Sequence, residues 1–239
     1  MGIVVIGAVF VDIKGHPEDN FIPTGRNAGW VDRVHGGVGR NVVEDIANCE
    51  LRPTFVSLVD DSGDGADVIR KLNNHKVDTR YVRTTRDGMG TWLAIFDNDG
   101  DVAASISKRP DLMPIVDILD EHGDEIFANA DSIVIEICIE KEIVKRVFKL
   151  AKKHNKKVFS VVGNMSIALE RRDFMKSIDC FVCNIQEAGL LFFDDFTEKT
   201  LAESCEIGSL LAASVIVTTE NVCPRFLPRE LGIDRDVED

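Results

Sequence analysis

The chain has 239 residues, 44% apolar and 29% charged, which supports a folded core and excludes a disordered polymer. Its formal net charge of −13 excludes the basic footprint that nucleic acid or an anionic membrane surface would require, so neither is an expected partner. No stretch reaches the roughly 18 apolar residues of a membrane span, and the start, MGIVVIGAVFV, runs into Asp12 without the basic n-region of a signal peptide.

Ile3–Gly7 is a continuous apolar run and reads as a strand covered on both faces. The next thirty or so residues are polar and irregular. A helix follows from Gly39 to about Asn48, with Val42, Val43, Ile46 and Ala47 on one face. Thr54–Val59 reads as a second strand, and after the turn DDSGDG a helix runs from about Ala66 to Asn74. Met89–Phe96 and Asp101–Ser107 flank the turn DNDG and read as an antiparallel hairpin standing off the main body. Alternation then resumes. Strands are expected at Ser132–Ile137, Lys157–Val162, Cys180–Cys183 and Ser214–Thr218, and helices at Glu140–His154, Gln186–Phe192 and Leu201–Leu211. Such alternation predicts a mainly parallel sheet covered by helices, with ligands bound beyond the strands' carboxyl ends. Six cysteines, at 49, 138, 180, 183, 205 and 223, lie mostly in apolar runs, the pattern of reduced thiols in a cytoplasmic protein.

VHGGVGRNVVEDIAN, residues 34–48, places Gly36, Gly37 and Gly39 at a helix start. It has no Gly-Lys-Ser/Thr and no third glycine at dinucleotide spacing, so both standard phosphate loops are excluded. Two readings remain. The turn brings backbone N–H groups and Asn41 to a polar ligand, or its glycines only permit tight packing. Glu136 is a carboxylate in the otherwise apolar strand SIVIEICI. It faces a pocket or lies in water at the strand end, since burial without partners is costly. Asn164 follows the strand VFSVVG. Cys180 and Cys183 have no second pair at zinc spacing, and three residues apart on a strand they point to opposite faces, so no metal site is expected. His35 reads as a loop residue.

HGGVGRNVVEDIA resembles the first signature of the PfkB (ribokinase-like) family of sugar and nucleoside kinases. VVIGAVFVDIKG resembles the family's opening strand with Asp12 at its end, SLVDDSGDGADVIRKLNNHKVDT the strand–loop–helix that follows, and CNIQEAG the family's Asn-x-x-Glu motif through Asn184 and Glu187. The resemblance covers about residues 1–219 in order and looks most like the pseudouridine-kinase-like branch. It implies a three-layer α/β/α sandwich with a small β lid formed by elements at about 12–35 and 89–108, and an atypical tail over 220–239. It implies that Asp12, Gly36, Gly37, Gly39 and Asn41 bind sugar hydroxyls, with Asn164 in the pocket; Glu136 is a candidate for the same pocket on its own chemistry. It places Asn184 and Glu187 near the phosphates of ATP and Mg2+, the latter through the ion's water shell. It also implies a small-molecule sugar or nucleoside partner and a homodimer formed through the lid.

The family's second signature, a Gly-Ala-Gly-Asp segment carrying the catalytic base, has no counterpart here: no Gly-x-Gly-Asp follows residue 187, and VIVTTENVCPRF has Glu220 where the family has glycine. The expectation is therefore a C-terminally incomplete fold that, alone, is inactive or nearly so. The alternative is a non-catalytic sugar- or nucleoside-binding remnant or interaction module.

Overall fold

The computed structural model describes residues 2–195, residue 199, and the backbone of 215–218. The main sheet has seven strands in the order β11-β10-β9-β8-β1-β4-β5. These are β1 (Ile3–Ile6), β4 (Thr54–Val59), β5 (Asp78–Thr84), β8 (Ser132–Glu136), β9 (Lys157–Val161), β10 (Cys180–Asn184) and β11 (Val215–Thr218). Every pairing is parallel. Along β1, Val4 and Ile6 enter one core and Val5 the other, so the IVVI run is explained by burial on both faces.

Helices α1 (Val38–Asn48) and α2 (Gly63–Asn74) cover one face through Val43, Ala47, Val68 and Leu72. The opposite face carries α3 (Ile115–Asn129) and α4 (Lys141–Lys153), continued by α5 (Met165–Leu169), α6 (Arg172–Met175) and α7 (Ile185–Phe192). The fold is thus a three-layer sandwich. The sequence-predicted helix at Leu201–Leu211, Cys205, Cys223 and the tail over 220–239 lie outside the described residues.

Besides two strands of the second sheet, four elements escaped the sequence reading: β5, α3 and the short helices α5 and α6. β5 is an edge strand in which Tyr81 is the buried side chain, so it shows no apolar alternation. α3 follows Pro110 and Pro114 closely, although Ile115, Val116, Ile118, Leu119, Ile126 and Phe127 carry helical spacing.

The stretch expected to be irregular after the first strand is a correction. It forms β2 (Phe10–Pro17) and β3 (Gly29–Gly36), which join β6 (Gly90–Phe96) and β7 (Val102–Lys108) in a second sheet ordered β3-β2-β6-β7. Asp12 therefore lies inside β2, not at the end of the first strand, because β1 ends at Ile6 and Gly7 lets the chain turn away. The β2–β3 pair is antiparallel with Asp12 opposite Val34, β6–β7 is the expected antiparallel hairpin, and β2 runs parallel to β6 with Asp12 beside Trp92. Phe10, Asp12, Trp92, Ser105 and Ser107 thereby line one cavity from the second sheet.

Candidate functional site

The main sheet reverses its winding at β1, which has β4 on one side and β8 on the other. Open α/β sheets bind ligands at such a switch point, beyond the carboxyl ends of the strands. A cavity of about 550 Å3 lies there, within the range for small ligands. Its floor comes from the residues just past three strand ends: Ala8 after β1, Cys138 after β8, and Gly163 and Asn164 after β9. Gly37, Val38 and Asn41 enter from α1.

The glycines are explained by close approach. A Cβ on Gly39 would lie 2.6 Å from the Gly7 Cα, and one on Gly37, whose φ is 97°, would lie 2.6 Å from the Ala8 carbonyl oxygen. A Cβ on Gly36 would fall on the Asp12 carboxylate. Gly37 lines the cavity, whereas Gly36 and Gly39 stand behind it as spacers. The packing reading of the turn therefore holds for Gly36 and Gly39, while Gly37 and Asn41 line the cavity.

Glu136 does not lie in open water at the strand end. It is 8% exposed and lines the cavity. Its Oε2 accepts the Ala8 N–H at 3.1 Å and the Gly39 N–H at 3.3 Å, tying together β8, the exit from β1 and the start of α1. Burial pushes its carboxyl above the usual range, and the two N–H donors and Arg109 oppose that shift. Burial likewise raises Asp12, opposed by the charges of Lys14 and Arg40.

Asn164 lines the cavity and caps α5, its Oδ1 accepting the Ile167 N–H at 3.4 Å. Cys138 was missed in the sequence. Its Sγ donates to the Asn164 carbonyl at 3.1 Å and accepts the Gly163 and Asn164 N–H groups at 3.4 and 3.2 Å, which holds the β9–α5 junction against the cavity. Arg40 and Trp92 were also missed. The signal for Arg40 was a charged residue inside the glycine turn, and for Trp92 an aromatic on the strand that pairs with Asp12.

Asn184 and Glu187 are not among the residues lining this cavity. They form a reciprocal capping box at the start of α7: the Glu187 N–H donates to Asn184 Oδ1 and the Asn184 N–H to Glu187 Oε2, both at 2.8 Å. Burial raises the Glu187 carboxyl. Among the described residues no group of three or more His, Cys, Asp or Glu side chains is arranged to hold a metal, Cys180 and Cys183 included.

His35 is a further correction. It lies in β3, not in a loop, with its Nε2 3.5 Å from Asp67 of α2 and its buried Nδ1 unpartnered. Burial, aided by Lys71, lowers its pKa, and Asp67 opposes that shift. Together with the ion pair between Arg33 and Asp64 it joins the second sheet to α2. No helix among the described residues is long and apolar enough to cross a membrane.

Comparison with known proteins gives the geometry a lineage. The family model described as pfkB family carbohydrate kinase matches residues 2–221. The chain is 30% identical over 211 residues to guanosine-inosine kinase of Exiguobacterium acetylicum, covering 88% of this chain and 69% of that protein. It is 24% identical over 142 residues to pseudouridine kinase of Escherichia coli (strain K12), covering 59% of this chain and 45% of that protein. Its fold matches that of Arabidopsis thaliana ribokinase complexed with ribose and ATP, with a TM-score of 0.70 at 22% identity over 90% of this chain and 71% of the other. A switch-point cavity walled by a second sheet, on a fold shared with ribokinase and under a family match that spans nearly all the described residues, leads to one conclusion: the chain belongs to the pfkB family of carbohydrate kinases.

Proposed function

We propose that the cavity is the acceptor site of a nucleoside kinase and that its ligand is a ribose-containing nucleoside, with a purine base preferred. The observation that carries this reading is the presence of Asp12, Asn41 and Trp92 in one cavity. A carboxylate accepts hydroxyl hydrogens in charge-assisted bonds, and an amide complements a hydroxyl from the other side. An aromatic wall suits a base in particular, because every base has a π-face that stacks on one. Trp92 meets Phe96 edge-on at 6.3 Å, and Phe96 stacks on His16 at 4.7 Å. The relative at 30% identity is named for guanosine and inosine, which supports purine nucleosides over pseudouridine.

Asp12, backed by Gly36, holds the hydroxyls; Asn41 and Asn164 add polar contacts; and Glu136 fixes the frame that carries them. ATP with Mg2+ supplies the phosphoryl group and neutralises charge when bound. Glu187 is placed at the β10–α7 junction to touch the ion's water shell. The second sheet acts as a lid, and its exposed side chains, Val31 at 70% and Ile106 at 71%, favour pairing with a second copy. Cys138 and Cys180 are buried free thiols, in keeping with a reducing cytoplasm.

Calorimetric titration with inosine, guanosine, pseudouridine and ribose tests the reading. Saturable binding of the purine nucleosides is expected; failure of all four to bind rejects it. Gly36→Ala should leave the melting temperature nearly unchanged, since the half-exposed Asp12 side chain can swing aside, yet weaken inosine binding about tenfold by displacing that carboxylate. Equal affinity in the variant would remove Asp12 from the site.

A second reading, a binding module without turnover, is favoured by the lack of any Gly-x-Gly-Asp after residue 187. The 239-residue chain by itself is accordingly expected to transfer negligible phosphate from ATP to inosine. Radiolabelled-ATP turnover well above the no-protein control would overturn that expectation.

A further inference from the structure

Arg40 sits within the glycine turn yet is only 8% exposed and is not part of the cavity lining. Its guanidinium has three partners. Nη1 donates to the His35 carbonyl at 3.3 Å and to Asn41 Oδ1 at 3.2 Å, and Nη2 pairs with Glu44 at 2.7 Å. Its backbone N–H donates to the Ala8 carbonyl at 3.2 Å, which pins the residue to the exit from β1. Its Nε is buried without a partner. Burying a guanidinium with one donor unsatisfied is costly, and such a cost calls for an explanation other than packing.

A guanidinium carries five donors and no acceptor. The Asn41 atom facing it must therefore be the amide oxygen. The NH2 group is left for the cavity that Asn41 lines. We infer that Arg40 is a positioning residue that locks the Asn41 amide with its NH2 toward the cavity, so that the site offers a donor at Asn41 and an acceptor at Asp12. Glu44, one helical turn further on, holds the guanidinium from behind and keeps the lock in place. The charge of Arg40 also reaches Asp12 and favours its ionised form. Arg40 thus orients one polar group of the cavity directly and joins Lys14 in opposing the effect of burial on the other. A ligand oxygen that accepts a hydrogen bond is read at Asn41, and a hydroxyl that donates one is read at Asp12. The assignment of Asn41 as a donor to ligand rests on the nucleoside-site reading; the lock itself does not.

Two variants and two readouts test it. In NMR spectra of isotope-labelled chain, the Asn41 side-chain amide pair is assigned by its disappearance in Asn41→Asp. That pair is expected to shift in Arg40→Met, which removes the guanidinium donors and keeps an unbranched apolar stem; an unchanged pair overturns the lock. Asn41→Asp supplies only acceptors beside Arg40, so its inosine affinity should fall about tenfold. Its affinity for dideoxyinosine, which lacks the two secondary ribose hydroxyls, should stay at the wild-type value, a discrimination that a merely structural defect would not produce. Inosine affinity equal to wild type in Asn41→Asp overturns the donor assignment, and this arm decides the matter even if Arg40→Met does not fold. Failure of the wild-type chain to bind inosine at all rejects the nucleoside reading and the donor assignment with it, while the Asn41 amide shift still decides the lock.

Discussion

Gly39→Ala should destabilise the fold by about 3 kcal/mol, the upper end for forcing a methyl group into a packed site. The added Cβ would lie 2.6 Å from the Gly7 Cα, 2.8 Å from the Gly7 carbonyl carbon and 3.0 Å from the Ala8 nitrogen. All three are backbone atoms at the end of the central strand, so no side-chain rotation relieves the clash. The only escape is to lift α1 from β1, and that would also break the Gly39 N–H bond to Glu136. The same substitution at Gly63 makes the control. A Cβ there meets nothing within 4 Å, and Gly63 lies at the start of α2. Gly63→Ala should be neutral or stabilising by up to about 1 kcal/mol, because alanine has less backbone freedom to lose. Urea unfolding curves for the two variants make the comparison. A loss below about 1 kcal/mol for Gly39→Ala would mean that the helix and strand are not pressed together as described.

Glu136 carries the second large effect. Glu136→Ala leaves the Ala8 and Gly39 N–H groups without their acceptor in a buried setting, at a cost of about 2–4 kcal/mol for two orphaned donors. Glu136→Gln keeps a carbonyl oxygen for both donors and carries no charge. The sign of the pH dependence follows from burial, which raises the folded-state pKa of this carboxyl above its unfolded value. A raised acid favours the fold in its protonated form. Its contribution is most favourable below the unfolded pKa and declines as pH rises from there through the folded pKa. Asp12, Glu140 and Glu187 are raised by burial as well, so the wild-type curve mixes several groups. The wild-type stability minus that of Glu136→Gln isolates this one. That difference should move against the wild type as pH increases from about 4.5 upward. A flat difference across the acidic range would show that Glu136 is not desolvated in the fold.

Much of the architecture was legible in the chain, for physical reasons that differ by element. β1 is apolar on both faces because it lies mid-sheet, and α4 shows a clear apolar stripe because one face packs and the other meets water. β5 was hidden because an edge strand buries little, and α3 because prolines precede it. The second sheet was half hidden. The turn DNDG announced the hairpin of β6 and β7, but β2 and β3 carry Lys14, His16, Asp32 and Arg33 on open faces and so have no hydrophobic period to read.

The candidate site divides the same way. The lack of Gly-Lys-Ser/Thr together with the glycine spacing ruled out the standard phosphate loops, and the ordered motifs from Asp12 to Glu187 named the family that comparison confirms. These are local properties: which backbone angles a glycine permits, and which side chains recur at fixed separations. The sequence could not say that Gly36 and Gly39 act as spacers while Gly37 faces the cavity. Nor could it say that Cys138 clamps the β9–α5 junction or that Arg40 orients Asn41, whereas the mutual cap of Asn184 and Glu187, three residues apart, was legible as a capping box. Glu136 shows why. It stands 128 residues from Ala8 and 97 from Gly39, and its role exists only where the parallel crossover sets β8 beside β1. Local chemistry is written in the order of residues, whereas contacts between distant residues are decided by sheet order, and sheet order is settled by burying both faces of the central strands at once.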